Sequence, residues 1–569
     1  SGKVDRRALS RLEVQAGDGP SEEYAEPRTP VEKQIAAIWS DLLKRERIGL
    51  QDNFFDLGGH SLLATRVLSR LRESLSADLS LTTVFERPTL AGLAAAVEEA
   101  LGTPAGAALG GPGTEAPPAG PDLPLSFSQE RLWFLEQLQP GTSAYNVATP
   151  VRLRGAVDPG ALAGALREVI RRHQVLRVTF GELDGQPAQW VSPETALPLP
   201  LVDLAALPEA RREPERRRLA VEEGQRPFDL ARGPVARALL FRLGPQDHVI
   251  ILTLHHIAAD GWSLGILIRE LLPLYQAALA GGLSPLPELP CQYFDFARWQ
   301  RDLLQGKTLE GLLAYWRQAL AGLPEVLELP TDRPRPPVRS FQGRSFPFAF
   351  GAEVTRALKG AARESRTTLF MTLLAGLGAL LARYSRQTDL AVGSPIAGRN
   401  RAEHEGLIGF FVNTLVLRTQ VPGGLTFHEL LGQVRKVTLG AYEHQELPFE
   451  RIVAELSPER SLAHSPLFQV SLALQNNERP TLAFPGLTLE PLDPGIVTAK
   501  FDLSLFLEEA AGGLSGSAEY ATDLFDEPTV WRLVEHLGAL LAAATASPQT
   551  PLAELPLLTA AESRQILER

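Results

Sequence analysis

The chain has 569 residues, 44% hydrophobic and 22% charged, with a formal net charge of −11. That length exceeds one hydrophobic core, so a soluble globular chain of about three to four domain-sized units is expected. The acidic balance argues against a nucleic-acid partner. No run approaches the ~20 apolar residues of a membrane helix. The single cysteine, Cys291, excludes internal disulfides and cysteine-cluster metal sites and suits a reducing cytosol. The chain opens at Ser1 without an initiator methionine, which points to a segment of a longer polypeptide.

In chain order, residues 1–28 begin with the basic and polar run Ser1 to Leu9, the pattern of a loose terminus. Residues 29–101 read as a small helical unit. Thr29-Pro30 opens a first helix with Val31, Ile35, Ile38, Trp39 and Leu42 on one face. A loop through Phe54 and Phe55 leads to Gly58-Gly59-His60-Ser61. There the glycines permit a sharp turn, and an apolar run at helical spacing (Leu62, Leu63, Val67, Leu68, Leu71) begins at once. Ser61 is therefore placed at the exposed start of a helix. Free N–H groups and the helix dipole there favour an attached anion, although a serine at that point also serves as an ordinary N-cap. Leu81–Phe85 reads as a short turn, and Thr89 caps a last helix carrying Leu90, Leu93, Ala94 and Val97. About 70 residues make a small core of modest stability.

Residues 102–123 are a Gly/Ala/Pro linker. From 124 to 556 helices and strands alternate as two α/β halves, 124–300 and 301–556. In the first, strands are expected at 146–154, 176–180, 238–243 and 248–254, and helices at 159–173, 263–280 and 293–304. In the second, one helix is expected over about 353–384, with strands at 390–395, 411–418, 467–474, 501–507 and 513–520 and helices at 427–442 and about 526–546. The strand ending at Leu254 runs into His255-His256-Ile257-Ala258-Ala259-Asp260-Gly261. A strand–loop–helix corner can hold an imidazole rigidly, and histidine titrates nearest to working pH. Only one of two adjacent side chains on strand-like backbone can point into a site.

Asp52-Asn-Phe-Phe-Asp-Leu-Gly-Gly-His-Ser61-Leu62 resembles the attachment site of thiolation (peptidyl carrier) domains, DxFFxLGGHSL. The resemblance implies a four-helix bundle with 4′-phosphopantetheine on Ser61, placed there by a phosphopantetheinyl transferase. The segment His255 to Gly261 resembles the HHxxxDG motif of condensation domains, which have a chloramphenicol acetyltransferase-like α/β fold. Further segments follow in the family's order. They are Ser126-Phe-Ser-Gln-Glu-Arg131-Leu-Trp133, Arg172-His173-Gln-Val-Leu-Arg177, Tyr293-Phe-Asp295-Phe-Ala-Arg-Trp299, Gly393 to Arg399, Ile408 to Thr414, His444 to Glu450 and Ser465 to Val470. Ser128, Gln174 and Phe296 are conservative departures from the family pattern. Ser1 to Leu9 is similar to the last motif of an adenylation domain, with Lys3 a silent remnant. Residues 557–569 look like the lead-in to the next such domain. The chain is thereby identified as a fragment of a non-ribosomal peptide synthetase, expected in a bacterial cytoplasm.

The resemblance implies peptide-bond formation from a donor acyl or peptidyl thioester on the Ser61 arm to the α-amine of a thioester on a downstream acceptor carrier. Neighbouring adenylation domains would supply the activated residues, and no metal is required. His256 aligns with the active histidine, as general base or as positioning group, and His255 reads as structural. Asp260 is expected to pair with Arg399, and Gly261 to permit close backbone approach or positive φ. Arg131 is either an ion-pair or a tunnel residue, and Asn413 belongs with the structural and tunnel residues. Two alternatives remain: an epimerisation-type domain, disfavoured by the Arg172 to Arg177 segment and the adenylation-like tail, and a non-catalytic recruitment domain.

Overall fold

The computed structural model describes residues 24–102, 123–138, 140–194, 197–456, 461–475, 483–484, 486–495, 497–510 and 512–567. They fall into two compact units, one on either side of residues 109–110. Lys3 and nearly all of the Gly/Ala/Pro stretch lie outside the described residues.

The smaller unit has helices Pro30–Leu43, Ser61–Leu75, Leu81–Glu86 and Leu90–Gly102. Thr29 and Glu32 form a capping box at the first, with Thr29 Oγ1 accepting from the Glu32 N–H at 3.1 Å and Glu32 Oε2 accepting from the Thr29 N–H at 2.9 Å. Ile35, Trp39, Phe54, Val67, Leu71, Val84, Leu90 and Val97 form its core. Leu81–Glu86 is a true helix rather than a turn because Ser80 Oγ caps it, accepting from the Thr83 N–H at 3.3 Å.

Among the described residues the larger unit holds two six-stranded sheets and one hairpin. The strands are β1 (Asn146–Gly155), β2 (Val178–Leu183), β3 (Gln186–Val191), β4 (Leu201–Asp203), β5 (Ala236–Gly244), β6 (Asp247–His255), β7 (Gly343–Gly351), β8 (Asp389–Ile396), β9 (Asn413–Gln420), β10 (Val470–Gln475), β11 (Ala483–Phe484), β12 (Leu487–Pro491), β13 (Leu503–Ala510) and β14 (Gly513–Ala521). The first sheet runs β11-β12-β1-β6-β5-β4, the second β7-β14-β13-β10-β8-β9, and β2 pairs with β3. Helices Pro159–Arg172 and Gly261–Leu279 share one core with the first sheet through Leu166, Val169, Ile266, Leu274, Ile250 and Leu252. The first sheet is not built from the first half alone. β12 returns from beyond residue 480 to pair antiparallel with β1, Val151 opposite Pro491.

Several elements differ from expectation. Gln174–Arg177 is a 3₁₀ turn before β2, with the Leu176 N–H on the His173 carbonyl at 3.1 Å, so that Val175 and Leu176 are both buried. The single helix expected over 353–384 is two, Ala352–Glu364 and Leu369–Ser385, bent by 105°. Arg366 adopts φ 51° and Thr368 caps the second helix, accepting from the Met371 N–H at 3.2 Å. The second helix is almost wholly buried, and among the described residues no single helix is long and apolar enough to cross a membrane. Helix Ala560–Leu567 docks onto helix Glu527–Ala546 by a Glu562–His536 contact of 3.0 Å.

Candidate functional sites

The loop before Ser61 is a rigid cradle. Asn53 Oδ1 accepts from the Phe55 N–H at 2.9 Å, and the Phe54 N–H donates to the Pro88 carbonyl at 2.8 Å. Phe54 packs at a tilt against Trp39, ring centres 5.1 Å apart, and Phe55 against Phe85 at 4.7 Å. The two glycines serve different ends. Gly58 adopts φ +102°, whereas a side chain on Gly59 would come within 2.4 Å of the Phe54 carbonyl oxygen and ring. The turn they allow makes His60 the extended N-cap and Ser61 the first helical residue. His60 offers no side-chain hydrogen bond to the helix start, and the first turn holds no acidic residue. A helix N-terminus of this kind offers N–H donors and a positive dipole end to an anion such as an attached phosphodiester. Burial, aided by Arg66, pushes His60 down to about 4, so its imidazole is neutral at physiological pH.

In the larger unit, β6 ends at His255 and delivers the two histidines to different surroundings. His255 is buried, its Nδ1 accepting from the Ile257 N–H at 3.2 Å, with its ring 5.8 Å from Phe228 and 6.4 Å from Tyr145. His256 is only half-buried, and its N–H donates to the Tyr145 carbonyl at 2.8 Å. Its ring meets Phe410 edge-on at 4.7 Å. The Nδ1 of His256 is buried and has no hydrogen-bond partner among the described residues. Burial first, then the Lys500 ammonium, hold this imidazole far below its ordinary range, against the pull of Asp260. The ring is a neutral hydrogen-bond acceptor at physiological pH.

Asp260 is buried and fully engaged by the fold. It caps helix Gly261–Leu279, Oδ1 accepting from the Ser263 N–H at 2.9 Å. Arg399 reaches it from the other half, Nη1 to Oδ2 at 2.7 Å and Nη2 to Oδ1 at 3.1 Å, with both side chains at most 1% exposed. Burial alone would raise the Asp260 carboxyl, but the guanidinium outweighs it and holds the group ionised. Asp260 Oδ2 also accepts the Phe411 N–H at 3.1 Å, and Ser263 Oγ bonds the Gly409 N–H and carbonyl at 3.1 and 2.9 Å. His173 Nδ1 takes the Ile408 N–H at 3.3 Å, and the Tyr293 hydroxyl donates to the Phe410 carbonyl at 2.7 Å. These bonds bind a strap, Leu407 to Phe411, from the second half onto the first and so set Phe410 beside His256.

Gly261 corrects an expectation. It begins the helix with no positive φ, and nothing lies within 4 Å of where a Cβ would stand. Neither close approach nor backbone strain requires glycine there. Arg131 pairs with Glu450 at 3.1 Å over the Phe449 ring, joining the first-half helix Phe127–Leu138 to helix Phe449–Leu456. Asn413 ties the adjacent loop, donating to the Gln445 and Leu447 carbonyls at 2.8 and 2.9 Å and accepting from the Phe449 N–H at 2.9 Å. Phe410, Tyr145 and Lys500 were not singled out from sequence. Phe410 and Tyr293 lie in segments quoted above for the resemblance, and Lys500 lies outside them. Among the described residues no cluster of three or more His, Cys, Asp or Glu side chains suits a metal ion.

Comparison with known proteins assigns a family to each unit. The Condensation domain family matches residues 121–567, and the phosphopantetheine attachment site family matches 33–97. A linear gramicidin synthase from Brevibacillus parabrevis is 46% identical over the whole of this chain, which spans 7% of that protein. Tyrocidine synthase 3 from the same organism is 40% identical, with 8% of its length spanned. Among solved structures, the complex of the X-domain and OxyB from teicoplanin biosynthesis aligns with a TM-score of 0.72 at 30% identity, covering 80% of this chain and 100% of that one. The first condensation domain of the CDA synthetase shares the fold, with a TM-score of 0.63 at 24% identity over 77% of this chain and 99% of that one. The chain belongs to the condensation-domain family of non-ribosomal peptide synthetases, preceded by a carrier module that bears covalent 4′-phosphopantetheine.

Proposed function

We propose that the condensation unit forms an amide bond between a donor acyl thioester carried at Ser61 and the α-amine of an aminoacyl thioester on a downstream carrier. The arm, when present, supplies a mobile thiol that holds the acyl group as a thioester. Overall a C–N bond forms, the C–S bond breaks, and the proton lost by the amine ends on the released thiol. The observation that carries the reading is His256: a half-buried, neutral imidazole that no side chain of the described residues ties down at Nδ1, on a corner braced from both halves.

An α-amine with a pKa near ~7.7–8.0 is substantially neutral at physiological pH. His256 Nε2 can accept a hydrogen bond from its N–H and aim the nitrogen lone pair at the acyl carbon. A ring held so far below its usual range is a poor resting place for a full proton. This favours positioning, with proton passage only as the thiol departs. Asp260 and Arg399 act one step back, through the strap. A phosphopantetheinyl transferase and flanking adenylation domains are the implied partners.

The test is a single-turnover assay: donor acyl-pantetheine loaded on Ser61, aminoacyl acceptor supplied, amide read by intact mass. His256→Ala is expected to slow amide formation by about 10²–10⁴-fold. A rival reading is a docking module, favoured by the likeness to the X-domain solved with OxyB. No amide from the wild-type chain would support it, and a racemised donor residue would indicate epimerisation.

A further inference from the structure

Lys500 stands at a point the proposed chemistry leaves unused. Its main chain is pinned just ahead of β13. Arg339 Nη1 donates to the Lys500 carbonyl at 2.9 Å, the Ala499 N–H donates to the Phe341 carbonyl at 3.0 Å, and Asp502 is locked to Arg335 at 3.0 Å. The side chain crosses toward the first half, where Nζ lies 5.7 Å from the centre of the Tyr145 ring. Tyr145 is the residue whose carbonyl holds the His256 N–H, so the ammonium is brought to the corner that carries the imidazole. Both histidines feel its charge.

We infer that Lys500 is an electrostatic positioning residue of the condensation site: its ammonium, seated on Tyr145 beside His256, opposes positive charge on the imidazole and favours the negative charge that grows on the thioester oxygen as the C–N bond forms. The inference rests on the amide-forming reading above. Fixed charge aimed at developing charge in a water-poor site is among the larger contributions to catalysis.

The surrounding charges leave this cation incompletely neutralised. Glu519 on β14 is the carboxyl that acts on Lys500, and Arg131, itself paired with Glu450, adds positive charge. Asp260 faces His256 but is taken by Arg399, and Arg237 acts on His255. Burial pulls Lys500 down to about 8 and pushes Glu519 up to about 7. Near neutral pH the lysine is mostly charged and the glutamate only partly so. As pH rises through about 8 the lysine loses its proton while the glutamate is already ionised, and the local field turns from positive to negative.

The experiment follows amide formation by the full chain from about pH 6 to 9, with the His256→Ala background subtracted. Wild type is expected to rise as the acceptor amine deprotonates and to fall above about pH 8. Lys500→Met should lose about 10–100-fold at neutral pH and lack the falling limb. Lys500→Arg, which stays charged, should keep most activity and move that limb upward. Equal losses in both variants with an unchanged profile, or a Lys500→Met profile like wild type, overturns the inference. The ring ¹⁵N shifts of His256 decide it separately from activity: Lys500→Met should let the ring protonate at higher pH, by about one unit. An unmoved ring refutes the role of Lys500. A moved ring with no amide from wild type refutes the amide-forming reading instead. Lys500→Gln repeats the measurement should Lys500→Met fold poorly.

Discussion

Asp260 and Arg399 lie 139 residues apart in sequence and meet at 2.7 Å with neither side chain exposed by more than 1%. The pair closes the joint between the halves. The carboxylate also receives the Phe411 N–H, and the guanidinium lies over the Phe411 ring at 4.2 Å and donates to the Leu407 carbonyl at 3.2 Å. Removing either partner strands a buried charge. Asp260→Asn or Arg399→Met is expected to cost about 3–5 kcal/mol of stability by urea unfolding, and the double variant less than the sum. Because the strap carries Phe410, amide formation should fall even under conditions where these variants remain folded.

Gly261 separates what the fold needs from what the reaction needs. It occupies the first helical position with open space around its missing Cβ, so Gly261→Ala should be neutral to stabilising by up to about 1 kcal/mol. An unshifted or raised melting temperature together with slower amide formation would show that substrates use that space. A lowered melting temperature contradicts the structure.

Parts of this architecture were visible beforehand, and physical reasons mark where visibility stopped. Helix Pro30–Leu43 was legible because its cap and apolar spacing are local. That His255 and His256 face different surroundings followed from strand alternation carried to the end of β6, whereas the choice of His256 as the active one came only from resemblance. The Asp260–Arg399 contact was accessible only through segment resemblance, since nothing local links residues so distant. The break between Glu364 and Leu369 carries no proline or glycine to announce it: Arg366 takes a left-handed conformation with an ordinary side chain. β12 and Lys500 gain their meaning from chain closure over hundreds of residues, which periodicity does not encode.

In the carrier module, Gly59 sets where Ser61 stands. Its Cβ position lies 2.4 Å from the Phe54 carbonyl oxygen, and Phe54 is fully buried against Trp39. Gly59→Ala must therefore shift the loop, and a loss of about 1–3 kcal/mol is expected in the melting of this unit. Incubation with coenzyme A and a pantetheinyl transferase should modify wild type fully, Gly59→Ala slowly and Ser61→Ala not at all, as read by intact mass.

Acid should weaken the larger unit through its neutral histidines. Burial pushes His255 and His404 down to about 3, and His256 is held low in the same direction. In the unfolded chain each titrates near ~6.5. Between those limits the unfolded state binds more protons, so stability is complete above about pH 6.5 and is lost as pH falls toward 3. His404 lets one group be followed: its ring lies 5.3 Å from Phe296 and 5.6 Å from Phe411, in an aromatic cluster. Replacing it by phenylalanine removes one titrating group while keeping an aromatic ring in an aromatic cluster. Urea midpoints compared at pH 7 and 5 should show His404→Phe losing about 2 kcal/mol less than wild type on acidification. An equal loss in both chains would mean that this imidazole is not held neutral by the fold.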